Sequence, residues 1–172
     1  MGYSPLPGLG MSTRCGDIDA EIVLQLQRHG LGVDEIEDVL NNRSDLLGLS
    51  GFSSNLTEVI ARAETGDYDC QVAYGAYASR LGHYLGAYLW LLGGADVIAF
   101  TDDIGMNAWQ LRERVCRGAE SLGVSLDPVA NERAVGSQTA FVHASTSRTA
   151  ILVVPTDEES VILSEVVARM AD

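Results

Sequence analysis

The chain has 172 residues, 47 % of them hydrophobic and 20 % charged, enough for one globular domain, or one and a small appendage, burying roughly 70 % of its unfolded surface. Eleven Lys and Arg against 24 Asp and Glu leave a net charge of −13; that balance argues against nucleic acid or an anionic membrane as a partner. Three cysteines, Cys15, Cys70 and Cys116, form no CxxC pair and fit a reducing cytoplasm better than an oxidising exterior.

The first residues lack a charged start and a long apolar core, so no signal peptide is expected. Residues 1–12 carry Gly2, Pro5, Pro7, Gly8 and Gly10, which exclude a regular helix. After a turn over Thr13–Asp19, a helix is expected with Ile18, Ile22 and Leu26 on one stripe, stopped by Gly30. Asp34–Glu37 has the spacing of a capping box and opens a short helix with Ile36, Val39 and Leu40 inward. Residues 44–54 read as a loop whose Leu46, Leu47, Leu49 and Phe52 pack on the core. Asn55–Glu58 repeats the capping spacing, and Leu56, Val59, Ile60 and Ala63 make the buried face of a helix ending at Gly66.

The longest periodic stretch is Asp67–Leu92. Ala78, Gly82 and Gly86 stand four apart, a smooth strip suited either to an internal helix contact or to a two-fold dimer contact. The apolar run over 84–100 is broken by Gly93, Gly94 and Asp96, so it reads as a helix end and then a strand, not a membrane span. Val97, Ile98 and Phe100 predict a strand covered on both faces. A tight turn follows, in which Gly105 bends the backbone and Asn107 caps a helix over 108–122. That helix is read with Trp109, Leu111, Val115 and Leu122 inward, and Arg112, Glu113 and Arg114 outward. Val124–Leu126 reads as a short strand, 131–137 as a loop, and 139–143 with 150–154 as a hairpin. The final helix starts near Glu158, with Val161, Ile162, Val166 and Val167 buried, and is read to the carboxyl end.

The order of elements predicts an α/β fold with a mixed sheet flanked by helices. Two strand-to-helix corners, after Phe100 and after Val154, would open on one side of that sheet. Such corners are where open α/β sheets take up ligands and phosphates.

At these motifs the chain resembles acetate kinases, in the acetate and propionate kinase family of the superfamily that includes sugar kinases, heat-shock ATPases and actin. Met1–Leu6 is similar to the family's Met-Gly-Phe-Thr-Pro-Leu, and Thr13–Asp19 to its Thr-Arg-x-Gly-Asp-Ile-Asp. Leu46–Gly51 matches Leu-Leu-Gly-x-Ser-Gly, and Phe100–Asn107 its Phe-Thr-x-x-Ile-Gly-x-Asn turn. Arg112–Cys116 and Pro155–Glu159 continue the likeness. It covers essentially the whole chain and corresponds to the C-terminal two-fifths of such a kinase. The implied fold is the C-terminal half-domain of that ribonuclease H-like superfamily. Residues 1–13 would be a remnant of the interdomain region and 14–172 the nucleotide-binding domain. The family's substrate pocket, catalytic aspartate and His-Leu-Gly-Asn-Gly phosphate loop belong to its amino half; none of His29, His83 and His143 begins such a loop.

The resemblance implies phosphoryl transfer from ATP to acetate, giving acetyl phosphate, with Mg2+ as cofactor. It makes the complete enzyme a cytoplasmic homodimer and the isolated chain inactive. A propionate or butyrate kinase, a pyrophosphate donor and a non-catalytic dimerisation module are the alternatives. Arg14 is the implied catalytic residue, a guanidinium for charge gathering on the moving oxygens. Asn55, Leu56, Thr57, Asp103, Ile104, Gly105 and Asn107 line the nucleotide. Glu158 holds the metal through water, beside Arg14 in a shared cleft, while Glu159 pairs with Thr156 as a helix cap. Asp17 and Asp19 read as helix caps sooner than as metal ligands. Three departures cluster on the nucleotide side. Asp102-Asp103 stand where the family has Ala-Gly or Gly-Gly, Met106 where it has Glu, and Asn55–Thr57 where it has Asp-x-Arg.

Overall fold

The computed structural model describes residues 2–136 and 138–170; the end of the predicted 131–137 loop and the last two residues of the predicted final helix lie outside them. The chain divides into two compact units, Met1–Gly93 and Gly94–Asp172. The break falls inside the span read as one domain. It follows a helix stopped by Gly93 at φ 71°, with Gly94 at φ 118° behind it, conformations that favour glycine.

The first unit is helical. An irregular start leads to α1 (Ala20–Arg28), capped by Asp19, whose carboxylate accepts from the Glu21 N–H. Its Ile22 is exposed and no residue of α1 is buried, so the predicted stripe is not covered within this unit. α2 (Val33–Asn42) is capped at Gly32, two residues before the predicted Asp34 box: Glu35 reaches back to accept from the Gly32 N–H at 2.8 Å. The stretch read as a loop contains a helix, α3 (Asp45–Ser50), which buries Leu46 completely while Leu49 and Phe52 stay exposed. α4 (Leu56–Glu64) and α5 (Tyr68–Leu92) pack on each other around Val59, Ala63, Cys70 and Ala73. Asn55 and Asp67 cap them by accepting backbone N–H groups, the role that short polar side chains play at helix starts.

The second unit holds a three-stranded mixed sheet in the order β1 (Val97–Phe100), β3 (Ala150–Val153), β2 (Ala140–Phe141). β1 and β3 are parallel, pairing Val97 with Ala150 and Phe100 with Val153; β2 runs antiparallel to β3. β1 alternates, burying Ile98 and Phe100 while Val97 is 54 % exposed, so one face is open where both were expected to be covered. Leu126 makes only an isolated bridge to His143. The stretch read as a tight turn holds a short helix, α6 (Asp102–Asn107), and the predicted helix over 108–122 is broken into α7 (Trp109–Cys116) and a 3-10 turn, Glu120–Leu122. Leu122 is exposed. Pro128 opens another helix, α8 (Pro128–Arg133), capped by Asp127, in part of the span read as a loop. α9 (Glu158–Met170) has no buried residue; Val161, Ile162, Val166 and Val167 are all exposed. The apolar spacing was legible, but no described residue covers it.

Candidate active site

The Arg14 motif is fastened through its neighbours. Thr13 O accepts from Ser44 N at 2.8 Å, Thr13 Oγ1 donates to Asn41 O at 2.8 Å, and Cys15 N donates to Leu40 O at 2.9 Å. Residues on either side of Arg14 are thus bonded to the last turn of α2 and to Ser44 just after it, while the Arg14 side chain is exposed with Met11 Sδ at 4.0 Å. Among the described residues no carboxylate lies within ion-pair range of it. A cation fixed at its base and unneutralised at its tip suits recognition of a phosphate or carboxylate.

A cavity of about 430 Å³ in the same unit is lined by Gly10, Cys15, Asp17, Ser44, Asp45 and Arg80, among others; Arg14 is not among them. Asp17 does not cap α1, contrary to the sequence reading. Its carboxylate accepts from Gly8 N at 2.8 Å and from the Tyr84 hydroxyl, and Arg80 Nη2 donates to its backbone oxygen at 3.1 Å. The Tyr84 hydrogen bond, and after it the Gly8 N–H, hold the Asp17 carboxyl below the usual carboxylate range. Asp45 Oδ2 is buried with no hydrogen-bond partner among the described residues. Burial pushes that carboxyl up to about 6, with Arg80 pulling the other way.

Asn55 Oδ1 accepts from Thr57 N and Glu58 N at 2.9 and 3.3 Å. Leu56 is buried in the core at 3 % exposure, whereas Asn55 and Thr57 are exposed. Whatever Leu56 offers a nucleotide is therefore backbone and not side chain.

In the second unit, the parallel β1–β3 pair sends both following segments out from one end of the sheet, bringing the Asp103–Asn107 turn and the start of α9 to the same end. The turn differs in detail from the sequence reading. Asn107 does not cap α7, whose N-cap is Ala108; its Nδ2 donates to Asp103 Oδ1 at 2.7 Å. Gly105 is buried, and a β-carbon there would meet the Phe100 carbonyl carbon at 3.1 Å. Asp102 has φ 63° and accepts from Asp103 N at 2.7 Å. That local bond is what lets an aspartate occupy left-handed backbone.

Glu158 is exposed in the first turn of α9. The helix is capped by Asp157, which bonds Ser160 through both carboxylate oxygens, so the Thr156–Glu159 box is not the cap. Among the described residues no cluster of three or more His, Cys, Asp or Glu could cage a metal. One uncommitted carboxylate does fit a magnesium ion that keeps most of its water and takes its other ligands from phosphates.

Sequence reasoning missed Arg112. Read as outward, its side chain is completely buried. Nε donates to Asn131 Oδ1 at 2.7 Å; Nη1 donates to Gly105 O and Met106 O at 2.7 and 2.9 Å; Nη2 donates to Asn131 O and Ala134 O, both at 2.8 Å. Asn131 Nδ2 in turn donates to Trp109 O at 2.9 Å. No carboxylate is in the set. The charge is spread over carbonyls at the ends of α6 and α8, where helix dipoles favour a cation. Burial lowers its pKa to about 10, with Cys116 opposing. The signal was in the spacing. Ala108, Leu111, Arg112 and Cys116 are all buried and fall at i, i+3, i+4 and i+8 of one stripe.

A parallel strand pair with a helix following each strand, in a mixed sheet flanked by helices, defines an α/β protein. The Acetokinase family model matches residues 1–164, and the chain belongs to that family. It is 45 % identical over 160 residues to the acetate kinase of Clavibacter sepedonicus, covering 92 % of this chain and 40 % of that protein. The acetate kinase of Bacillus subtilis is 39 % identical over 168 residues, 97 % of this chain and 42 % of the relative. Among solved structures, Porphyromonas gingivalis acetate kinase matches with a TM-score of 0.89 at 36 % identity, over 96 % of this chain and 41 % of that one. The chain thus spans about two-fifths of the length of the curated relatives it matches.

Proposed function

We propose that this chain is the nucleotide-binding C-terminal part of an acetate kinase. In the complete enzyme the γ-phosphoryl group of ATP passes to acetate, giving acetyl phosphate and ADP. The observation that carries the reading is the parallel pairing of β1 with β3. Within the acetokinase family, a turn at one strand end and a free carboxylate at the next can serve one nucleotide. Asp103, Ile104, Gly105 and Asn107 line that nucleotide, with Asn55, Thr57 and the Leu56 backbone. Glu158 holds hydrated magnesium. Bound magnesium neutralises phosphate charge; the chain's own part is to orient the phosphates and hold the ion's water. Arg14 stabilises negative charge on the transferred group. Residues 14–172 act as the nucleotide-binding part, in the cytoplasm, and the complete enzyme is a homodimer. The α5 strip at Gly82 and Gly86, where a β-carbon would meet nothing within 4 Å, is the surface for a second copy.

A propionate kinase is the second reading. A solved propionate kinase from Francisella tularensis matches with a TM-score of 0.83 at 32 % identity, over 92 % of this chain and 40 % of that one. The resemblance assigns the acid pocket to the unmatched amino portion. The test is calorimetry of the 172-residue chain with Mg-ADP, beside a coupled assay for acetyl phosphate. Binding without turnover is expected. A chain silent to both Mg-ADP and Mg-ATP would sink the nucleotide reading in favour of a non-catalytic module, and turnover by the chain alone would sink the partial-site reading.

A further inference from the structure

We propose that Arg112 is a positioning residue for the nucleotide-facing turn, fixing the shape of α6 from behind without touching the nucleotide. The inference rests on the nucleotide reading of residues 103–107.

Arginine has five N–H donors, and here all five are engaged with protein oxygens. Nothing remains to give a phosphate, and the side chain is fully buried. Arg112 is therefore not a ligand contact, although arginine beside a glycine turn invites that reading. What it does hold is a weak element. α6 has six residues, its N-cap Thr101 makes no side-chain bond, its one buried residue is Gly105, and it starts on Asp102 in left-handed backbone. So short a helix has no stability of its own in water. The two bonds from Nη1 to Gly105 O and Met106 O tie its second half to α7, and the other three donors tie the same guanidinium to α8. Asp103 and Asn107, bonded to each other at 2.7 Å, sit on the piece so held. A lysine has three donors on one nitrogen and cannot span both helices as a planar fork does.

The experiment compares wild type, Arg112→Lys and Asn131→Ala by amide hydrogen exchange and by calorimetry with Mg-ADP. Arg112→Lys should speed exchange at the Gly105–Ala108 amides and weaken Mg-ADP, each about tenfold, the loss of roughly one charged hydrogen bond. The β1 and β3 amides should keep their protection. Asn131→Ala leaves the two turn bonds in place, so it should loosen α8 and not the turn. The proposal is overturned if the turn amides do not respond to Arg112→Lys. It is equally overturned if the strands lose protection by the same factor or entirely, which makes Arg112 a general fold residue, or if Asn131→Ala loosens the turn as much. A loosened turn with unchanged Mg-ADP affinity also ends it. If wild type binds no Mg-ADP, the nucleotide reading itself has failed; the exchange data then show separately whether Arg112 holds the turn.

Discussion

Gly10 and Asp45 are interlocked: a β-carbon on Gly10 would lie 2.1 Å from Asp45 Oδ2. The carboxylate fills the space a side chain at position 10 would need. Its own backbone is at φ 41° and that buried oxygen has no hydrogen-bond partner among the described residues. Gly10→Ala should destabilise the first unit by about 1–3 kcal/mol through overpacking. The same change made on top of Asp45→Gly should cost close to nothing. Denaturant unfolding of the two single variants and the double variant measures this coupling directly.

The same carboxyl makes a pH prediction. Its folded value is raised to about 6, above the unfolded value of about 3.9. A group raised in the fold binds its proton more tightly there, so its favourable contribution is complete below about pH 4 and is lost as pH rises to about 6. At neutral pH the buried anion destabilises the fold. Asp45→Asn should therefore stabilise the protein at pH 7.5 by about 1–2 kcal/mol, allowing for partial exposure. The gain should vanish at pH 4. A gain of equal size at both pH values would show that backbone strain, not ionisation, is the cause.

Asp17 has the opposite sign. Its carboxyl is held below the usual range, chiefly by the Tyr84 hydroxyl, so the stabilisation is present above about pH 4 and is lost as pH falls through the folded value. Tyr84→Phe removes the main cause. The Asp17 carboxyl should then titrate nearer its ordinary value by NMR, and the Gly8 amide, which donates to the same carboxylate, should exchange faster at neutral pH. The two proteins should converge in acid. Unaltered titration of Asp17 would show that the N-terminal segment is pinned without Tyr84.

Much of this was legible in the sequence, for identifiable reasons. Apolar spacing found α4, α5, β1 and β3, because each buries a face within its own unit. Cap chemistry located Asn55 and Asp19. The failures have two physical origins. Burial depends on a second surface, so the Ile22 and Val166 stripes were visible as pattern yet remain exposed. Charge was taken to mean solvent, which hid Arg112, whose fork is satisfied by carbonyls that only the folded turn and α8 bring together. The candidate site residues were legible as motif and not as geometry: nothing in Gly-x-Asn says that Asn107 bonds Asp103 instead of capping α7.

Asp102 carries a further prediction. Left-handed backbone is unfavourable for most side chains, by about 1–2 kcal/mol, and less so for aspartate; the bond from Asp103 N to its carboxylate offsets part of that. Asp102→Gly should leave the second unit unchanged or more stable by up to about 1 kcal/mol. It also removes one negative charge from the turn proposed to face phosphates, so Mg-ADP and Mg-ATP should bind more tightly, most visibly at low salt. Weaker binding by the glycine variant would mean that Asp102 contacts the nucleotide or its metal.

Glu158 separates a metal role from a helix role. As a first-turn glutamate it stabilises α9 through the helix dipole by about 0.3–1 kcal/mol at most, and Asp157 already serves as the cap. If its task were only helical, Glu158→Gln would change nucleotide affinity equally with and without metal. If it orients the water of a bound magnesium ion, the neutral variant should lose affinity for Mg-ADP by about tenfold, the scale of one charged hydrogen bond. Affinity for ADP in chelator should then hold steady or improve, because a like charge has gone. The measured quantity is the ratio of the two dissociation constants, compared between wild type and variant. That ratio cancels any general weakening of the fold, and a ratio unmoved by Glu158→Gln removes the metal role from this residue.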